Sequence, residues 1–217
     1  MDGFKTKFLW FFGITGLLVL AAQVLSTYWL GILTLILIFG ILAMSLDILM
    51  GYTGLPSFGH SAFFGVAAYT VAILSTRYQI GFLGCVGSAI LLSTAVAAIF
   101  GLLVSHTKGV YFLMITLALS MVIWGLAFRW VSMTAGDNGI SGIPRPDLGE
   151  AISMWDEITF YYFVLGVYVA VFLLIFLFLR SPFGQSLKGI RESESRMKNL
   201  GYNTWLHKYL SYVVAGI

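Results

Sequence analysis

The side chains from which chemistry could be built are few in this sequence, and they are scattered. His60, His106 and His207 stand far apart, the first beside a glycine-rich break and the others in connections between apolar runs, so no local spacing supports a shared metal site. Ser57 and Ser61 flank His60 in LPSFGHSAF, where a serine hydrolase would want a nucleophile near a base. Neighbours on one helix do not face each other, and no second histidine lies within an apolar run, so the base is missing. The single cysteine, Cys85, sits in an apolar run and cannot form an intramolecular disulfide or a cysteine-rich metal site. A G-x-x-x-x-G-K-[ST] phosphate loop is absent from the sequence. The expectation is no catalytic residue, no metal and no cofactor bound by this chain.

Two stretches carry more. GYTGLPSFGH, with Gly51, Tyr52, Gly54, Ser57, Gly59 and His60, disfavours continuous helix between apolar runs. A helix broken at membrane depth is tolerated only where its backbone is buried in protein or lines a watery cavity, and the freed N–H groups can bind a polar or anionic group. The stretch is therefore a candidate lining for a translocation path; the plainer reading is a turn followed by a short helix. Asp47, the one acid within an apolar run, reads either as functional or as a cap near the interface.

The other stretch is RSPFGQSLKGIRESESRMKNLG, Arg180 to Gly201. Ser181 can N-cap, Pro182 suits a first turn, and Leu187, Ile190, Met197 and Leu200 recur at roughly helical spacing, which predicts an amphipathic helix. Gly201 stops it, with Lys198 in the last turn. A helix this polar between membrane-length runs faces water, and its apolar stripe must dock on something.

The elements around these stretches are membrane helices. Hydrophobic residues make up 59% of the 217, charged residues 10%, and mean hydropathy is +0.95, far from a soluble domain. A crossing needs about 20 apolar residues, and Phe8 to Leu25, Tyr28 to Leu49, Phe82 to Val104, Val110 to Phe128 and Thr159 to Leu179 meet that. His60 to Leu74 is apolar but short, and Tyr209 to Ile217 begins a further run, so the sequence reads as unfinished there. The first run exceeds the apolar core of a signal peptide and is read as a retained helix. Small residues at Gly81, Gly84, Gly87 and Ser88, and at Gly65, Ala67 and Ala68, read as close-packing faces. The fold class is thus all-α, one polytopic transmembrane bundle over 1–217 with a broken helix.

If the short run crosses once, one side holds Lys5, Lys7, Lys108, Arg180, Lys188, Arg191, Arg196, Lys198 and Lys208, against Arg77, Arg129 and Arg145 on the other. That bias puts the N-terminus and the 180–208 loop in the cytoplasm and explains the +3 charge as a topology signal, with no nucleic-acid partner implied. A re-entrant run would flip everything after it, and the crossing is preferred. The 129–158 loop then faces outward with Asp137, Asp147, Glu150, Asp156 and Glu157, either a vestibule or docking surface or a solvated connection. Arg129, Trp130, Trp155, Tyr161 and Tyr162 flank it at interfacial depth.

Three separated segments together resemble a known family. GYTGLPSFGHSAFFGVAAY, GVYFLMITLALSMVIWGLAFRWVSMTAGDNGISGIPRP and SPFGQSLKGIRESESRMKNLGYNTWLHKYLSYVVAGI are similar, in order and spacing, to the permease subunits of branched-chain amino acid ABC importers of the LivM type. The resemblance covers most of the chain from about Gly51 and implies that RESESRMKNLG engages ATPase subunits. It places Arg191, Glu192, Glu194 and Gly201 on that coupling segment, led in by Ser181, Pro182 and Gly184; Ser193 and Ser195 depart mildly from the pattern. It further implies an inner-membrane location, a second permease subunit, two ATP-binding subunits that hold ATP and Mg, and a periplasmic substrate-binding protein. Relatives carrying urea or short amides are not separated from amino acid importers by these residues. Family members continue through further membrane segments beyond the point matching Ile217. A secondary transporter or channel for a small solute is the other class that fits a broken helix, though it would more often hold charges deep in its spans.

Overall fold

Lipid offers the backbone no hydrogen-bond partner, so a chain this apolar must satisfy its own N–H and C=O groups locally, and helices do so. The computed structural model describes residues 2–146 and 154–217, with side chains from residue 13 onward; among them there is no strand. In order come α1 (Asp2–Val24), α2 (Thr27–Asp47) running into a π-helical turn (Ile48–Thr53), α3 (His60–Arg77), α4 (Phe82–Val104) and α5 (Gly109–Arg129). Then follow α6 (Val131–Thr134), a 3-10 turn (Gly136–Asn138), α7 (Glu157–Arg180), α8 (Pro182–Glu192), α9 (Glu194–Asn199) and α10 (Thr204–Gly216). Four of these are long and apolar enough to cross a bilayer: Thr27–Thr53, Phe82–Val104, Gly109–Arg129 and Glu157–Arg180. The chain is a multi-pass membrane protein.

Side-chain contacts fix the helix directions. Tyr161 and Tyr162 at the start of α7 donate their hydroxyls to the carbonyls of Leu18 and Val19 near the end of α1, so those two helices run opposite ways. Tyr161 is buried, and both tyrosines hold α1. α2 and α7 run alongside in the same direction, with Leu30 and Leu37 against Tyr161, Val164 and Leu165, and Gly40 against Tyr168. Phe82 meets Phe163 edge-on, which puts the start of α4 at the same end as the start of α7. At that end too, the guanidinium of Arg77 donates to the carbonyl of Ser132 just after α5. One end of the bundle therefore carries 77–81, 129–146 and 154–156; the opposite end carries Gly51–Thr53, Lys108 and the loop from Arg180 to Lys208.

The run from Gly51 through α3 passes from one end of the bundle to the other, and the break inside it is real. Backbone bonds widen at the π turn, where Thr53 Oγ1 donates to Ile48 O and the Leu55 N–H to Leu49 O. From Gly54 to Gly59 the chain is non-helical, with Leu55, Ser57 and Gly59 buried and Gly54 and Phe58 exposed. Phe58 N–H reaches Thr116 Oγ1 at 3.2 Å. Thr116 lies seven residues into α5, so α3 starts about 10 Å inside the bundle rather than at its edge. Ile48, Leu49, Leu55, Phe63, Phe100 and Phe112 close a core around this point.

The close-packing faces fall elsewhere than expected. A Cβ at Gly65, Gly81 or Gly87 would meet nothing within 4 Å, and at Gly84 only Ile80 of the same chain segment. Intimate approach occurs instead between α4 and α10, where Gly216 sits against Ala97 and Gly101 against Tyr209 and Tyr212, and Ser93 Oγ donates to Gly216 O at 2.6 Å. Runs of small residues mark permissive surface; which surface is used depends on the partner's shape.

Candidate functional site

The coupling segment begins as its sequence suggests. Ser181 N-caps α8, accepting from the Gly184 N–H at 3.2 Å while donating to Phe178 O, and Pro182 occupies the first turn. Gly184 is buried against the backbone of Leu179, where a side chain would not fit, so α8 leaves α7 at a close corner. Leu187 and Ile190 are buried. Their partner is this chain itself: α8 packs on the π turn and on α10.

The single helix expected from Arg180 to Gly201 is in fact two. Ser193 is extended, at φ −160° and ψ 98°, and its hydroxyl accepts from the Arg196 N–H at 3.4 Å to cap α9. A serine that offers the backbone this alternative ends one helix and starts the next. Met197 folds back over Gly189, but Leu200 is 72% exposed, so the predicted apolar stripe stops at the break. Gly201, with φ 87°, follows α9, its N–H bonding Lys198 O.

Arg191 leaves α8 toward the broken helix. Its guanidinium donates to Gly51 O, and its Cγ lies 3.0 Å from the position a Cβ would take on Gly54. Gly54 has φ +76°, a conformation natural to glycine, so bulk there is excluded twice over. Lys188 Nζ sits 5.3 Å from the centre of the Tyr52 ring. Asp47, Gly51, Tyr52, Lys188, Arg191 and Glu192 line a cleft of about 620 Å³. Asp47 therefore lies at the bundle end beside two cations of α8, and Glu192 is exposed at the rim. The structure brings together two stretches that are 140 positions apart in sequence.

Glu194 behaves differently from Glu192. It is held by Lys108 at 2.6 Å, by Lys198 and Lys208 at 3.4 Å each, and by the Thr204 hydroxyl at 3.2 Å. Burial works to raise its carboxyl, but the Lys108 bond, the charges of Lys208 and Lys108 and the Lys198 bond outweigh it and hold the group at about 2. One carboxylate thereby ties α9 to α10 and to the connection before α5. Lys108 and Lys208 had registered in the sequence only as topology signals.

The remaining path residues lie deeper. Ser57, Gly59 and His60 are buried at the start of α3, with Ser57 Oγ accepting from the Gly59 N–H at 3.1 Å. Tyr212 and Thr116 crowd Gly59 so closely that a Cβ there would lie 3.1 Å from the Tyr212 hydroxyl and 3.3 Å from Thr116. Neither residue carried a signal in the sequence, since each stands in an apolar run. Next along α3, Ser61 opens a cavity of about 600 Å³ between α3 and α5 that reaches Ser120, Trp124, Thr134 and Asp137. At the end of the bundle opposite α8, Arg145 pairs with Glu157 at 2.6 Å and donates to Met154 O; Asp147 and Glu150, expected in the acidic loop, lie outside the described residues. Among the described residues no group of histidine, cysteine and acids could hold a metal.

Comparison with known proteins adds a sequence relationship to this geometry. A family model described as branched-chain amino acid transport system, permease component, matches residues 28–217. Similar curated proteins include the high-affinity branched-chain amino acid transport system permease protein LivM of Escherichia coli, 29% identical over 93% of this chain and 53% of the relative. Its Salmonella typhimurium counterpart is 29% identical over 85% of this chain and 48% of the relative. The chain thus spans about half the length of the curated relatives it matches. No solved structure matches it significantly.

Proposed function

Because this chain belongs to the family of branched-chain amino acid transport permease components, we propose that it is a translocating subunit of an ABC importer in a bacterial inner membrane. Its cargo is a branched-chain amino acid or a related small polar solute such as urea or an amide. ATP and Mg are held by two separate ATP-binding subunits, a second permease subunit completes the channel, and a periplasmic protein delivers cargo to the outer loop. The end carrying Lys108, Lys188, Arg191, Arg196 and Lys198 is cytoplasmic, in keeping with the positive-inside bias, and the N-terminus lies on that side. The chain itself catalyses no reaction.

One contact supports this reading above the others: Arg191 of α8 grips the Gly51 carbonyl in the π turn. α8 presents Glu192 and the rest of its polar face to water, where an ATPase would dock, and its buried side to the broken helix. Ser181 and Gly184 fix the α8 start to α7. Force applied to α8 is then passed to Gly51–Gly54, and a π turn, one residue wider than the α-helix around it, can change register at small cost. Movement there shifts the non-helical 54–59 segment and the start of α3, alternately opening the path.

Vesicles holding the assembled transporter test this. Leucine uptake is expected to require ATP and to fall in Arg191→Ala, while membrane insertion and ATPase assembly persist. Uptake driven by an ion gradient without nucleotide would overturn the reading in favour of a secondary transporter.

A further inference from the structure

The start of α3 holds polar side chains that no described residue satisfies. His60 is 5% exposed and neither ring nitrogen has a hydrogen-bond partner; the hydroxyl of Tyr212, 1% exposed, has none either. That hydroxyl lies close enough to the Ser57 side chain to interact with it, though without a well-aligned hydrogen bond. It is aimed at the first turn of α3, as its approach to Gly59 shows. Phe63 joins the two groups, edge-on to the imidazole at 5.7 Å and to the phenol ring at 5.5 Å. Dry, unpaired polar groups are costly, and phenylalanine at 212 would avoid that cost at almost the same volume. The neighbouring groups are already committed: Thr116 accepts from the Phe58 N–H and Ser57 from the Gly59 N–H. They shape the turn and leave the phenol and the imidazole free.

The chemistry of the free groups selects a ligand. A phenol O–H and an imidazole N–H are donors; His60 is the first residue of an 18-residue helix and the Tyr212 hydroxyl approaches Gly59 just before it, where the backbone dipole is positive. Such a set attracts a carboxylate and disfavours an ammonium. The cavity between α3 and α5 comes as near as Ser61, the next residue of α3, and runs from there to Asp137 without reaching His60 or Tyr212. Glycine at 59 keeps room between the hydroxyl and the helix end.

We propose that the start of α3 is a carboxylate subsite of the translocation path, with the Tyr212 hydroxyl and the His60 imidazole donating to the cargo's carboxylate as it leaves the outer cavity. This rests on the transport reading above and specifies which end of an amino acid is held. The subsite is closed in this conformation, and movement of the 54–59 segment opens it.

Binding to the assembled transporter in lipid nanodiscs, without the periplasmic protein, tests it. Labelled leucine is displaced by unlabelled leucine or by leucinol, which carries CH₂OH in place of the carboxylate. Leucine is expected to bind at least about tenfold more tightly than leucinol, and Tyr212→Phe to erase about tenfold of leucine affinity while leaving leucinol unchanged, as for one hydrogen bond to a charged group. His60→Gln, which keeps an N–H, retains more leucine affinity than His60→Leu. Unaltered leucine affinity in Tyr212→Phe overturns the proposal and leaves an ordered water as the hydroxyl's partner. Equal losses for both ligands overturn it as well, because a structural role would act on both. Failure of the unmodified transporter to bind leucine also overturns it, whereas the transport reading is judged separately by ATP-driven uptake with the periplasmic protein present.

Discussion

Two polar clusters lie in this bundle, and they are built in opposite ways. At the end of the bundle that carries α8 and α9, Glu194 receives three lysines and a threonine hydroxyl, more partners than one carboxylate needs. Inside the bundle, no described residue makes a well-formed hydrogen bond to the His60 nitrogens or the Tyr212 hydroxyl. A cluster that serves the fold is satisfied by its own chain; one that serves a ligand is left open until the ligand arrives. The contrast also separates Glu194 from Glu192, which the sequence pattern presents as equivalent neighbours.

The largest expected effect comes from Glu194→Lys. It would leave Lys208, almost wholly buried, facing three other cations, and a loss of about 3 kcal/mol is expected, read as a lowered thermal midpoint of the purified complex. Glu192→Lys, at an exposed rim, should leave that midpoint within about 0.5 kcal/mol while reducing ATP-driven uptake. Equal destabilisation by the two would erase the distinction between them. Arg191→Ala comes next, with uptake expected to fall about tenfold for the loss of one charge-assisted bond.

Acid sharpens the same contrast. Glu194 has its carboxyl depressed from 4.5 to about 2, so its contribution to stability is complete above the unfolded value and is lost as pH falls through the folded one. The difference in thermal midpoint between the native chain and Glu194→Gln should stay constant from neutral pH down to about 5 and close between about 4.5 and about 2. A difference that closes already at pH 6 would assign the anchor to another group. The smallest effect belongs to Tyr212→Phe, whose thermal midpoint in the absence of cargo should match or slightly exceed that of the native chain, since no bond is lost. A large fall would mean that the hydroxyl already has a structural partner.

Much of the fold was legible because lipid enforces it. Phe82 to Val104 is α4 at both ends, and Tyr28 to Leu49 falls on α2 and the beginning of the π turn, because an apolar run at membrane depth has almost no choice but helix. The break before His60 was legible from Gly51, Gly54, Pro56 and Gly59. Its π geometry was not, since nothing in ILMGYT distinguishes a wide turn from an ordinary one. The split at Ser193 had a signal, a serine three residues before an exposed N–H, which the apolar spacing of Met197 and Leu200 masked. Contacts that join distant segments had none: Arg191 with Gly51, Lys108 with Glu194 and Tyr212 with Gly59 depend on how helices are assembled, and local pattern is blind to that.

The tether between Arg77 and Ser132 gives α3 a fixed end. A stiff rod clamped at its outer tip and joined to a slack strand at its inner tip swings most where the strand begins. On the proposed transport reading, the swing from a push delivered at the Arg191 end would then be widest at Gly59 and fade toward Asp137, and the mouth beside Asp137 would keep its shape.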